Sequence, residues 1–230
     1  MTMPFTEITS YRECASRLLT LVSDLQHLDQ RLGYSYQDAR TVALRNCDAH
    51  TSSMVMVQKL LASVQEGLLP AEVLRQFMEL DAEVLQLAIN RLSDALRHGY
   101  VAIYQFQIEN MLRNILLGLG PPAPPSGFYN IADAVLNRAG VPDPNNKRDI
   151  LNVPALIRNS LHSNGIHHGY RGSSTHINLN GAQYDFIDGQ PVNCAGWAYV
   201  VQSFRAGIAV LEELLLRPAV QGLADPLRDG

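Results

Sequence analysis

From Tyr11 to Leu32 the residues Tyr11, Cys14, Leu18, Leu21, Leu25, Leu28 and Leu32 recur at alternating steps of three and four without a break. A strand returns a residue to the same face every second position, so this interval belongs to a helix, here one with a seam three heptads long. A second helix, from about Tyr36 to Glu66, carries Ala43, Cys47, His50, Met54, Val57, Leu61, Val64 and Leu68 at the same spacing. Gly33 between the two predicts an antiparallel hairpin. The seams serve either a coiled coil with another protein or the inner stripe of one chain's bundle, in which His50 is a satisfied seam histidine.

The remainder continues the pattern. Pro70 fits the first turn of a third helix through Val73, Leu74, Phe77, Leu80, Val84, Leu87, Ile89 and Leu92 toward His98-Gly99. Gly99 either ends it or is tolerated, at a cost of about 1 kcal/mol, inside a helix that continues to Leu117. A domain boundary is placed near 99, dividing 1–99 from 100–217. On the helix from Tyr100, Val101, Tyr104, Ile108, Met111, Leu112 and Ile115 form the core stripe. Glu109 and Arg113 remain as an exposed i,i+4 pair, which either lines a site or covers a solvated face.

Gly118 to Gly127, with Pro121, Pro122, Pro124 and Pro125, reads as an extended crossover or as bait for a proline-reading module. A short helix over Ile131–Arg138, a turn at Asp143-Pro144-Asn145-Asn146 and a helix from near Asn152 follow. Residues 174–192 alternate around Asn180-Gly181 and Asp188-Gly189 and predict a small three-stranded β-meander, a cover for a site, a subunit contact or a decorative loop. A last long helix spans Ala195 to Leu216, and the tail from 218 to 230 is expected to fray. The fold class is therefore all-α: a helical bundle with an N-terminal helical hairpin and a small β-meander insert.

Composition narrows the function. A formal charge of -4 over 230 residues argues against general nucleic-acid affinity, and the excess of arginine over lysine, 16 to 2, reads first as base composition. Cys14, Cys47 and Cys194 are odd in number and in no metal-ligand spacing, which suits a reducing compartment. The start lacks a basic region followed by an apolar one, and no apolar run is long enough to span a bilayer. A cytoplasmic protein with no membrane partner is expected. No nucleophile elbow, phosphate-binding glycine loop or dinucleotide fingerprint occurs.

The chemistry gathers at Ile157-Arg158-Asn159-Ser160-Leu161-His162-Ser163-Asn164-Gly165-Ile166-His167-His168. Arg158 and His162, four apart on a helix, share a face that Asn159 joins, while Val153, Ile157 and Leu161 turn to the core. Asn164-Gly165 supplies a left-handed stop. From Ile150 to Tyr184 there is no Asp or Glu, whereas Arg158, Arg171, His162, His167, His168 and His176 all fall inside. Such a local positive field suits a phosphate-bearing ligand. The histidine spacing matches no common metal-ligand pattern, so no metal is assigned. The plainer reading of Arg158 and His162 is a cap that complements the helix dipole.

Arg158-Asn159-Ser160-Leu161-His162 resembles the signature of the HEPN superfamily, all-helical domains of bacterial toxins and antiviral defence systems that bind nucleotides or cleave RNA. The likeness covers the C-terminal half, with Tyr100–Leu117 as the first family helix and Ala195–Leu216 as the last. Three residues stand between Arg158 and His162, fewer than is usual in the family. The resemblance implies a homodimeric endoribonuclease independent of metal and cofactor. RNA is then its substrate, and an antitoxin or regulatory protein a further partner. It makes Arg158, Asn159 and His162 catalytic, with His167, His168, Arg171, Glu109 and Arg113 as secondary binding candidates. The alternatives are a non-catalytic RNA- or nucleotide-binding module and a helical interaction scaffold.

Overall fold

The computed structural model of the protein describes residues 5–68, 82–225 and 227. Helix α1, Tyr11–Leu32, starts where the Ser10 side chain accepts the Glu13 N–H and stops where Gly33 takes a φ of 64°, an N-cap and a left-handed C-terminal glycine. Cys14, Leu18, Leu21, Leu25 and Leu28 of its seam are buried, and α2, Ala39–Gln65, lies along it as the second arm of a hairpin. The seam is thus the inner stripe of one bundle. On α2 the stripe drifts: Ala43, Cys47, Met54 and Leu61 are buried as expected, but Leu68 is exposed, and Thr51 and Gln58 are buried instead. A straight helix of 3.6 residues per turn walks away from a strict heptad over this length.

Helix α3, Ala82–Gly118, passes through Gly99 without interruption. The position expected to be a boundary therefore lies inside a helix, and one apolar cluster joins residues from Cys14 to Leu227. The stripe Val101, Tyr104, Ile108, Met111, Leu112 and Ile115 is buried. Farther back the expected stripe is corrected. Leu85 and Ile89 pack with Leu61, whereas Val84, Leu87 and Leu92 are exposed. The helix expected from Pro70, with Val73, Leu74, Phe77 and Leu80, lies outside the described residues.

After the crossover, pinned by Arg113 Nη1 donating to the Pro125 carbonyl and Arg138 Nη1 to that of Gly120, come α4, Phe128–Arg138, and α5, Pro144–His162. The residues read as a turn at 143–146 are instead the cap and first turn of α5. Proline at the first helical position has its φ preset and loses a donor that would be unpaired anyway. Pro154 sits within α5, at the cost of one internal backbone donor.

A short 3-10 turn, Tyr170–Gly172, precedes β1, Thr175–Leu179, and β2, Ala182–Phe186, paired antiparallel with Ile177 opposite Tyr184. Asn180 and Gly181, at φ 51° and 83°, make the turn read from the sequence. The expected third strand of the meander is a correction: residues 189–192 turn back onto 165–167. Gly189 N–H donates to the His167 carbonyl, His167 N–H to Gln190 and Val192 N–H to Gly165. Pro191, with no N–H to offer a ladder, suits such an isolated bridge. The hairpin is no decoration, since Ile177, Leu179, Tyr184 and Phe186 enter the core.

Helix α6, Trp197–Leu215, closes the bundle, packing on α1 and α5. The tail does not fray at 218. A short α7, Pro218–Gln221, follows, and Val220 and Leu227 are buried. Arg40 explains why: its guanidinium binds Asp38 through two bonds of 2.7 Å, donates to the carbonyls of Val220 and Ala224, and lies 3.6 Å beneath the Tyr34 ring. Among the described residues no helix is long and apolar enough to cross a membrane.

A candidate functional site in the groove between helices α3 and α5

Val153 and Ile157 are fully buried against the bundle, and Ser160 is buried with its hydroxyl donating to the Leu156 carbonyl. With that face fixed, Arg158, Asn159 and His162 emerge together on the outer face of the last turns of α5. Asn164 and Gly165, at φ 55° and 81°, stop the helix as expected, and Gly165 N–H caps the Ser160 carbonyl at 2.8 Å. Leu161, assigned to the core by its spacing, is only half-buried at the edge of the cluster.

Arg158 is half-exposed. Its Nε and Nη2 both donate to Asn159 Oδ1, at 3.3 and 3.1 Å, so Asn159 holds the arginine rather than the histidine. Its Nη1 stands 3.9 Å from the Glu109 carboxylate. His162 is exposed and makes no side-chain hydrogen bond among the described residues. Its imidazole is free to meet a ligand.

Glu109 comes from α3 and also accepts from Arg113 at 2.8 Å. The pair is half-buried, a correction to the solvated face, and Glu109 adjoins the site. The two helices run antiparallel. Leu151 and Pro154 of α5 share a small cavity with Tyr104, Gln105 and Ile108 of α3, whereas His162, two turns farther on, lies in electrostatic reach of His98, two turns back. His98 is itself exposed. Partial shielding from water, the adjacent Arg97 and the His162 imidazole lower its pKa, while Asp94 opposes them. No local motif marks this residue, because the signal is a register between two helices.

The secondary candidates scatter. His167 is buried, its ring 5.5 Å from that of Phe186 and its Nδ1 3.5 Å from Ser160 Oγ. Burial lowers its pKa, as does His168, against the pull of Asp188. It supports the end of α5 from within. His168 is exposed, and Arg171, also exposed, sits at φ 55° over the Tyr170 ring. Among the described residues no hydrogen bond or ion pair joins either to Arg158. The turn that carries them needs Gly169, where a Cβ would fall 1.7 Å from the Ser173 carbonyl oxygen.

The acid-free window does not survive folding. Glu109 approaches Arg158, Asp185 binds His176 at 2.7 Å, and Asp188 accepts the Gly169 N–H at 2.9 Å. Acids distant in sequence balance the local charge, so the groove is a mixed surface with an arginine and two histidines rather than a cationic cleft. Among the described residues no group of three or more His, Cys, Asp or Glu has a metal-holding arrangement. The cysteines are buried, and burial raises the thiols of Cys14 and Cys194 to about 12 and about 11.

Set beside known proteins, the chain matches no family profile, no curated protein and no solved structure.

Proposed function

We propose that the protein is a HEPN-type endoribonuclease whose site is the outer face of α5. The observation that supports this reading is the exposed His162 one helical turn from Arg158, with no side-chain hydrogen bond of its own among the described residues. A structural cap would spend its donors on the helix end. His162 spends none. An imidazole of this kind acts as general base or acid toward the ribose 2′-hydroxyl or the leaving 5′-oxygen. Arg158, oriented by Asn159, offers its guanidinium to the charge that grows on the phosphate. The Glu109 carboxylate, 3.9 Å away, stands beside that guanidinium. The resemblance adds that two such faces meet across the two-fold axis of a homodimer and that no metal takes part.

The test is purified protein on mixed single-stranded RNA, with and without EDTA. Cleavage in chelator that falls by roughly 10² or more in Arg158→Ala and in His162→Ala is the expected result. Binding without cleavage, unaffected by His162→Ala, would replace the enzyme with a binding module. A monomer mass by light scattering at micromolar concentration would remove the dimer.

A further inference from the structure

Away from α5, Arg31 and Arg205 line a cavity of about 730 Å³ between α1 and α6. Two ion pairs frame it. Asp24 of α1 meets Arg205 Nε of α6 at 3.1 Å, and Arg31 of α1 meets Glu212 of α6. From the first pair to the second each helix advances seven residues, so the two run in the same direction. At 1.5 Å per residue the pairs stand about 10 Å apart along the axes. Their polarity reverses, so each helix gives one guanidinium to the interval. Within it lie His27 and Ala209, both exposed, on a floor that includes the buried Leu28 and Ile208. The far end is built shut. Arg17 spends its guanidinium on the Thr6 carbonyl and hydroxyl, the Glu7 carbonyl and Glu13. Gln202 Nε2 donates there to the Leu179 carbonyl, at 2.7 Å, beside the hairpin turn.

We propose that this cavity binds a small carboxylic acid, one carboxylate on an apolar body. Its volume lies within the roughly 300–1,000 Å³ of small-molecule sites, and it has their make-up, an apolar floor with a few convergent polar groups. The carboxylate sits between the two ion pairs. Among the described residues Arg205 is engaged through Nε and Arg31 through Nη1, and His27 makes no hydrogen bond or ion pair. The other guanidinium nitrogens are charged donors of the kind that binds a carboxylate. Partly exposed ion pairs are weak, so an incoming carboxylate shares either guanidinium with its acid at little cost. Arginine and histidine outnumber acids in the lining, four to two, which favours a negative ligand although the chain as a whole is negative. The apolar body lies along Leu21, Leu28, Val201 and Ile208, whose side chains are otherwise buried in the bundle. The cavity shares no residue with the outer face of α5, and it stands whether or not the protein cleaves RNA.

The test is calorimetric titration of the full-length protein with octanoate and with 2-naphthoate, and with their neutral counterparts 1-octanol and 2-naphthalenemethanol. At least one acid should saturate a single site and bind about tenfold or more tighter than its alcohol. Tighter octanoate assigns an alkyl body, and tighter 2-naphthoate a ring. Arg31→Gln and Glu212→Gln break the same ion pair from opposite sides. The first should weaken binding by about tenfold or more, and the second should strengthen it, because the ligand no longer competes with Glu212. A merely structural pair would give the same result from both sides. Ala209→Trp, at an exposed position of the lining, should fill the cavity and abolish binding with thermal melting unchanged. No saturation by either acid at millimolar concentration overturns the proposal. So does an alcohol that binds as tightly as its acid, or binding that survives both Arg31→Gln and Ala209→Trp. A dimer by light scattering that Ala209→Trp converts to a monomer gives the cavity to a second copy of the chain and overturns it too.

Discussion

Two arginines, Arg40 and Arg158, stand at opposite ends of burial and of donor use. Arg40 is fully buried and holds four hydrogen bonds from its guanidinium: two to Asp38, one to Val220 and one to Ala224. Arg158 is half-exposed, donates among the described residues to its neighbour Asn159 and stands 3.9 Å from Glu109. The first joins segments 180 or more residues apart, spends four of its five donors inside the protein and is closed to solvent. The second has donors to spare at a groove open to solvent. A buried charge needs its partners to be tolerated at all, whereas an exposed one keeps water until a better partner displaces it. Spent or available donors therefore separate a staple from a site better than charge does.

The contrast is broken most forcefully at Arg40. Arg40→Ala leaves Asp38 ionised and buried, and removal of one member of such a pair costs about 3–5 kcal/mol. For a chain of this size that lowers the melting temperature by on the order of 10 °C. A change within ~2 °C would show the pair to be dispensable. The pair also sets an acid limit. Burial pushes the Asp38 carboxyl up, but Arg40 and the backbone N–H groups of Leu227 and Arg40 outweigh it and hold it below its ordinary value. The folded state thus binds this proton less readily than the unfolded chain. Stability from Asp38 is complete above the ordinary carboxylate range and is lost as pH falls through the depressed value. Urea midpoints from pH 6 down to pH 2, compared with those of Asp38→Asn, measure it.

Next in size come two neighbours on α5. Ile157 is fully buried, so Ile157→Ala should cost about 2–5 kcal/mol. Leu161 is half-buried, and Leu161→Ala should cost about 1 kcal/mol, near the median for point mutants. On the proposed ribonuclease reading, both should retain cleavage at temperatures where they remain folded. Equal losses in chemical denaturation would mean that α5 seats its last turn more deeply.

How much of this was legible follows from where each signal lies. Short-range regularities carried over: the α1 seam, the stripe from Val101 to Ile115, the Asn180-Gly181 turn and the shared face of Arg158 and His162 depend on residues a few positions apart. What failed depends on distance. The anchored positions Val220 and Leu227 need Arg40 and Asp38, and nothing near Pro218 announces them. The acid-free window was real along the chain and vanished in space, because Glu109 and Asp188 arrive from other elements. His167 and His162 look alike in sequence, yet the bridge of 165–167 to 189–192 turns one inward and leaves the other out.

That last pair gives a smaller effect. Burial first, then His168, lowers the pKa of His167, with Asp188 opposing. The unfolded chain therefore takes this proton more readily than the folded one. Stability from neutral His167 is complete above the ordinary histidine value and is lost as pH drops through it. His167→Gln, which cannot take that proton, should flatten the stability profile between pH 7 and pH 5. A profile as steep as that of the wild type would mean that His167 takes up its proton inside the fold.

The smallest expected change is the one that most sharpens the contrast with Arg40. Arg158→Ala removes two weak bonds to an exposed asparagine and a half-exposed approach to Glu109, and partly exposed ion pairs contribute about 0–1 kcal/mol. Glu109 is not stranded by the loss, because Arg113 still donates to it at 2.8 Å. Melting should therefore stay within about 1 kcal/mol of the wild type, while RNA cleavage falls by roughly 10². Arg158→Lys divides the role further. A point charge without the planar fork should keep the stability and part of the phosphate binding but recover little of kcat. If Arg158→Ala instead unfolds the protein as Arg40→Ala does, both arginines are staples, and the groove between α3 and α5 loses its claim to chemistry.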